Sequence, residues 1–168
     1  MSPYSSTGTD PTTDRLVLRP WSAADLTAVL DGARLPHWAE DFPAEGDRVI
    51  AGILGENPQG PAGFGHRLVV ERSSGLVVGS IGLFWPPTDG RVEVGYGIVP
   101  SRRGRGYAPE ATRALAEYAL TAPGVHTVHA RVELSNRASV RVLEKAGLRR
   151  WSQDATTAGF RLTATAER

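Results

Sequence analysis

Residues 91–111, RVEVGYGIVPSRRGRGYAPEA, restrict the possible folds more than any other stretch. The first nine residues alternate with the two-residue period of a strand. Val92, Val94, Tyr96 and Ile98 share one face, and Arg91, Glu93, Gly95, Gly97 and Val99 share the other. The second face is nearly bare at Gly95 and Gly97. Either a β-bulge, a packed helix crossing or a ligand lying against the backbone accounts for such a gap. The strand runs into a turn with three arginines and little bulk, then into a helix over about 106–121. Glycine and alanine at alternate places let successive backbone N–H groups converge on an anion. Pro109 sits in the first turn, where its missing N–H costs nothing, and the helix dipole adds its positive end. Arg103 and Arg105 can reach the rim of that anion. The plainer alternative is a solvated basic turn that only starts a helix.

The rest of the chain supplies a sheet for this strand. RLVLRPW (15–21) reads as a first strand with Leu16 and Leu18 on one face. Ser22 followed by Asp25 is a capping box, so a helix starts there and runs to about Gly32. A Pro- and aromatic-rich loop (35–47) leads to a second helix with Val49, Ile50, Ile53 and Leu54 at helical spacing, broken by ENPQGPAG. Strands near 64–72, 76–85 and 91–99 form a meander through the turn sequences RSSG and PPTDG. A strand over 125–133 places His126, Val128, Ala130 and Val132 on one face. A helix over 136–146 turns Val142, Leu143 and Ala146 inward and ends at Gly147, and short strands follow near 148–153 and 159–164. The order β-α-α-β-β-β-α-β-α-β-β gives a mixed sheet with helices packed against it.

Composition excludes several classes. With 168 residues, 40% of them apolar, the chain makes one domain (14–168) behind a Ser/Thr/Pro/Gly-rich segment, 1–13, expected to be disordered. A formal net charge of +1 does not suit a general nucleic-acid binder. The absence of cysteine removes disulfides, thiolate metal sites and a cysteine nucleophile. His37, His66, His126 and His129 have no metal-ligand spacing, so no metal is expected, and His126 reads as a core histidine. No apolar run reaches the ~18 residues of a membrane span. The first residues lack the apolar core of a secretory signal, so a cytoplasmic protein is the expectation.

Two phosphate-binding motifs fail on detail. A P-loop requires Gly-Lys-Ser/Thr, which is absent. A dinucleotide fingerprint requires a third glycine, and Gly104-Arg105-Gly106 is followed by Tyr107-Ala108-Pro109. RGRGYA resembles instead the pyrophosphate loop of the GNAT superfamily of N-acetyltransferases. DRLVLRPW, VEVGYGIVP and NRASVRVLEKAGL extend the resemblance to its RimJ/RimL-like branch over about residues 14–164. It implies an α/β (α+β) GNAT fold, a mixed, mostly antiparallel sheet of about seven strands with helices on both faces. It implies transfer of acetyl from acetyl-CoA to a primary amine, on a protein N-terminus or a small molecule, in a ternary complex. Residues 103–108 (Arg103, Gly104, Arg105, Gly106, Tyr107, Ala108) would hold the pyrophosphate. Ile98 and Val99 would pair with the pantetheine arm, a backbone N–H near Tyr96 would face the thioester carbonyl, and Asn136 would bond the pantetheine amides. Ser139 would approach the CoA sulfur.

The chemistry limits the remaining roles. A lysine-like amine with a pKa near ~10.4 needs a base, and an α-amino group near ~7.7–8.0 needs far less help. Glu93, bordering the bare face, is the candidate base; an arginine ion pair or plain solvation would explain it equally well. The leaving thiolate, near ~8.5, needs no strong acid. Many GNAT enzymes have a tyrosine seven residues after the helix-start asparagine, but counting from Asn136 gives Leu143. Asn136 also suits simple helix capping, and Ser139 a tight helix contact. Trp38, Glu40, Asp41, Phe42 and Trp85 are candidates for an acceptor pocket, with ordinary packing as the alternative for each. A non-catalytic acyl-CoA-binding module is the rival function. The identity of the acceptor and the oligomeric state, a homodimer included, stay open.

Overall fold

A computed structural model describes residues 10–56 and 65–164. The elements follow the expected order: β1 (Leu16–Pro20), α1 (Ala23–Asp31), α2 (Glu45–Glu56), β2 (His66–Glu71), β3 (Val77–Thr88), β4 (Arg91–Ile98), α3 (Tyr107–Ala119), β5 (Thr127–Glu133), α4 (Arg137–Lys145), β6 (Arg149–Gln153) and β7 (Thr157–Thr163). The seven strands form one sheet in the order β1-β2-β3-β4-β5-β7-β6, and only β4 and β5 run parallel. The β3–β4 hairpin turns through Asp89 and Gly90, both at positive φ, which the Asp-Gly pair tolerates.

Alternation sorts the sheet into two faces. His66, Gly82 and Gly95 stand in one cross-strand row, Ser80 and Gly97 in the next, and Phe84, Glu93 and His129 in a third. That face carries α2, whose Asp47 accepts a hydrogen bond from Ser80. The opposite face buries Ile81, Leu83, Val92 and Val94. Tyr96 belongs to it and reaches α4.

The start of α1 shows how local sequence becomes tertiary structure. Ser22 and Asp25 form the expected capping box, and Gly32 closes the helix at φ 74°. Asp25 is completely buried, and its carboxylate also accepts from Arg19 at 2.7 Å and Trp38 at 3.1 Å and meets His37 at 2.9 Å. Burial alone would raise its pKa. The hydrogen bonds from Arg19, His37, Ser22 and Trp38 outweigh it and hold the group well below the usual carboxylate range.

Three expectations need adjustment. Of the segment 1–13, residues 1–9 lie outside the described residues, as does most of ENPQGPAG and the strand start at residue 64. Residues 10–13 are tied to the fold: Asp10 pairs with buried Arg67 at 2.9 Å, and Thr12 bridges Val17. Val49 and Ile53 are exposed; α2 turns Asp47 and Ala51 inward instead. His126 is exposed too, because β5 begins one residue later and the ring lies against Gly90 rather than in the core.

Asp25→Ala would remove the buried carboxylate that pairs with Arg19 and is expected to destabilise the protein by about 3–5 kcal/mol in urea unfolding at pH 7. Because the folded pKa is depressed, this contribution is full above the unfolded value of 3.8. The gap between the two proteins should therefore narrow as the pH falls below 3.8.

Candidate functional site

The turn at residues 103–106 leads into the head of α3. Gly104 and Gly106 sit at φ 79° and 83°. A Cβ on Gly104 would meet nothing within 4 Å, so the backbone conformation rather than crowding demands glycine there. The first helical hydrogen bond runs from Glu110 N–H to Gly106 O at 3.2 Å. The N–H groups of residues 104–108 find no acceptor among the described residues. Amides left unpaired at a helix start can receive an anion.

A cleft of about 570 Å³ opens there. Ile98, Arg103, Gly104, Gly106, Tyr107 and Ala108 line one side, and Asn136, Ser139, Arg141 and Lys145 the other. Asn136 Oδ1 caps α4 by accepting from Ser139 N–H at 3.1 Å, which leaves its amide nitrogen to donate into the cleft. Arg141 and Lys145, one turn apart on α4, were not singled out from sequence. Their signal was the basic run after residue 137, but only the fold shows that α4 faces the loop.

The loop is braced from behind. Glu71, 4% exposed at the end of β2, accepts from Tyr107 Oη and Ser74 Oγ, both at 2.6 Å, and pairs with Arg102 and Arg105 at 3.4 Å. Burial raises its pKa, but Ser74, Tyr107 and Arg102 outweigh that and lower it. On the outer side Arg15 pairs with Glu110 at 2.6 Å, donates to Arg105 O at 2.9 Å and stacks over the Tyr107 ring. Tyr107 therefore points inward as a strut, although its backbone lines the cleft. Arg105 is drawn to Glu71 and is not among the cleft-lining residues.

Beside the loop the sheet divides. β4 and β5 pair only from Arg91–Thr127 to Glu93–His129, and the remainder of β4 has no partner on that side. Tyr96, Gly97 and Ile98 line both this larger cleft and a second one, of about 260 Å³, under α2. Tyr96 Oη donates to Ser139 O at 3.3 Å, and burial keeps the phenol protonated by raising its pKa. Val99 differs from expectation: it is fully buried and its N–H donates to Val78 O at 2.9 Å, which makes it part of the sheet rather than a free edge. Ile98 O likewise accepts from Arg103 Nε at 2.9 Å.

The bare face is partly filled. The Phe84 ring covers Gly95, 3.2 Å from where a Cβ would stand, whereas nothing lies within 4 Å of the same point on Gly97. Along β4, Phe84 thus separates Glu93 from the open place at Gly97. Glu93 lines a third cleft, of about 330 Å³, with His129, Arg91 and Trp151.

The expected acceptor residues have other work. Trp38 and Phe42 are 4% and 0% exposed and pack edge to face at 5.1 Å, so they belong to the core rather than to a pocket wall. Asp41 accepts from Ser101 N and Oγ at 2.7 and 2.8 Å and fastens the α1–α2 loop to the turn before the glycines. Trp85 alternates to the face opposite Phe84 and packs against the core. Glu40 is the remote partner of Arg102 at 3.8 Å. Leu143 is fully buried. Among the described residues no group of three His, Asp or Glu side chains is placed to hold a metal ion, and no helix is long and apolar enough to cross a membrane.

A sheet split beside an amide-lined helix start defines an acetyltransferase fold. The model of the Acetyltransferase (GNAT) domain matches residues 15–149, and the chain belongs to that family. It is similar to the uncharacterized N-acetyltransferase YjdG of Bacillus subtilis (strain 168), with 34% identity over 96 residues, 56% of each chain. The chain spans about half the length of the curated relatives it matches. Among solved structures, a GNAT-family acetyltransferase from Bacillus anthracis superposes with a TM-score of 0.69 at 20% identity, covering 92% of this chain and 98% of that one. An acetyltransferase from Agrobacterium tumefaciens str. C58 gives 0.63 at 25% identity, covering 91% and 93%.

Glu71→Gln removes the charge that holds Arg102 and Arg105 while keeping a side chain of the same shape. Calorimetric titration with acetyl-CoA should show affinity weakened about tenfold, roughly 1.4 kcal/mol, with the far-ultraviolet circular dichroism unchanged.

Proposed function

We propose that the chain is an acetyl-CoA-dependent N-acetyltransferase of the RimJ/RimL-like kind, moving acetyl to a primary amine on a protein N-terminus or a small molecule. The observation that carries this reading is the row of unpaired amides at residues 104–108, opening on a cleft that reaches the unpaired half of β4. A diphosphate fits these amides, with Arg103, Arg141 and Lys145 supplying positive charge around the same cleft. Acetyl-CoA brings the chemistry, an activated acetyl thioester. The chain's own residues bind and orient it: Asn136 donates from its free amide nitrogen, and Ile98 and Gly97 offer a narrow wall. Tyr96 and Ser139 line the same cleft, where their hydroxyl groups can donate hydrogen bonds to a departing thiolate without giving up the proton. A backbone N–H near Tyr96 serves the thioester carbonyl. Glu93, the base expected from the sequence, stands beyond Phe84 from the open place at Gly97, and its part in this reading is negative charge that draws a cationic amine toward β4.

A non-catalytic acyl-CoA-binding module is the second reading, favoured by buried Leu143 in the place where a tyrosine is usual. Free CoA release from acetyl-CoA, measured over a panel of primary amines, separates the two: amine-dependent release supports the enzyme, and tight binding without release supports the module. Gly106→Asp should abolish acetyl-CoA binding in calorimetry, because it places a carboxylate at the anion site and a Cβ at φ 83°. Unchanged affinity in that variant would contradict the site.

A further inference from the structure

Resting on the acetyltransferase reading, we propose that the cleft under α2 receives the acceptor amine and that His66 is the base that takes its proton. This cleft shares Tyr96, Gly97, Ile98 and Arg103 with the larger one. An amine entering from the α2 side therefore meets a thioester lying in the larger cleft at Gly97, where no atom lies within 4 Å of the place a Cβ would take. The cleft is narrow, walled by Phe84 and Ile50, and has room for the amine end of a substrate rather than its body.

His66 is built into this cleft. It stands on β2 opposite Gly82, which stands opposite Gly95. Its ring lies over Gly82, where a Cβ would come within 2.1 Å of Nδ1, so only glycine there lets the imidazole lie across β3 toward β4. Phe84 meets it edge to face at 5.0 Å and fixes its plane. Neither ring nitrogen has a hydrogen-bond partner among the described residues. The charged groups sharing the cleft are Asp47 from α2 and Arg103 from the glycine loop; Glu93 lies beyond Phe84. Burial lowers the imidazole pKa below 6.5, so the ring is neutral at physiological pH.

The proton balance is simple. The neutral amine forms its bond to the acetyl carbon, the carbon–sulfur bond breaks with its electron pair on sulfur, and the proton shed by nitrogen passes to His66 and then to solvent. A weakly basic imidazole does not strip a lysine-type ammonium near ~10.4, but it suffices for an α-amino group near ~7.7–8.0, which is already partly neutral. The acceptor class this favours is a free α-amino group.

The full-length chain, acetyl-CoA and a set of short peptides with free or acetylated N-termini test the proposal. His66→Ala should lower kcat by about 100-fold or more, leave acetyl-CoA affinity within about twofold, and regain turnover when imidazole is added. The acid limb of the wild-type pH profile, with its inflection below 6.5, should disappear in the variant. Gly82→Ala, which displaces the ring without removing it, should also lower kcat, and it serves if His66→Ala does not fold. Independently of turnover, the His66 C2 proton resonance should titrate below 6.5 and shift when a free-N-terminus peptide is added. If wild-type turnover survives in His66→Ala within a factor of about three, the base assignment is overturned and the acetyltransferase stands. If the wild-type chain acetylates small primary amines but none of the peptides, the α-amino acceptor class is overturned and the acetyltransferase stands; if it binds acetyl-CoA yet acetylates no amine, the enzyme reading falls, and the base with it.

Discussion

After Glu93 and His129 two parallel strands stop pairing, and the rest of the site follows from that parting. An unpaired strand edge in a sheet interior is costly unless something else meets its amides and carbonyls. Here part of the compensation is internal, since Arg103 bonds Ile98 O and the Val99 N–H returns to β3. What remains is a short open stretch around Gly97, with one cleft on each side of the sheet. A cofactor on the α3–α4 side and an acceptor on the α2 side can then touch across a single strand. The proposed reaction would need that arrangement, because two substrates must be held together while water is kept from the thioester.

The glycine loop depends on a second constraint, the bracing behind it. Positive-φ glycines give the backbone freedom, and freedom alone would leave the amides pointing in many directions. Glu71 and Arg15 remove it. One ties Tyr107, Arg102 and Arg105 to the end of β2, and the other ties Arg105 O and Glu110 to the start of β1. An anion thus meets a preset cradle rather than a loop that must be ordered on binding. Asp41 performs a related task at Ser101, which explains why a loop expected to face the acceptor is occupied with holding the cofactor side.

Much of the fold could be read from the sequence because it is written in local signals. The capping box at Ser22 and Asp25, Asp89-Gly90 in the hairpin and the alternation of β4 each act over a few residues. The glycines of the cofactor loop belong to the same class. What the sequence hid is long-range. Glu71 and Tyr107 are 36 residues apart, and nothing local says that a carboxylate ending an apolar strand will brace a helix start. Trp38, Asp41 and Phe42 looked like a pocket because aromatic and acidic residues in a loop suit one, yet their partners lie in the core and at Ser101. His66, weighed in the sequence only as a metal ligand, was passed over for the opposite reason. Its significance comes from the glycine beside it on the next strand, a pairing set by register rather than by spacing along the chain.

On this reading, main-chain amides at the head of α3 clasp an anion of acetyl-CoA. The most direct measurement is an amide nitrogen–proton correlation spectrum of the isotope-labelled chain, titrated with acetyl-CoA. The amides of Gly104, Arg105, Gly106, Tyr107 and Ala108 should move together and downfield, saturating with one affinity. Acetyl-CoA binding that left those five resonances in place and moved others would contradict it.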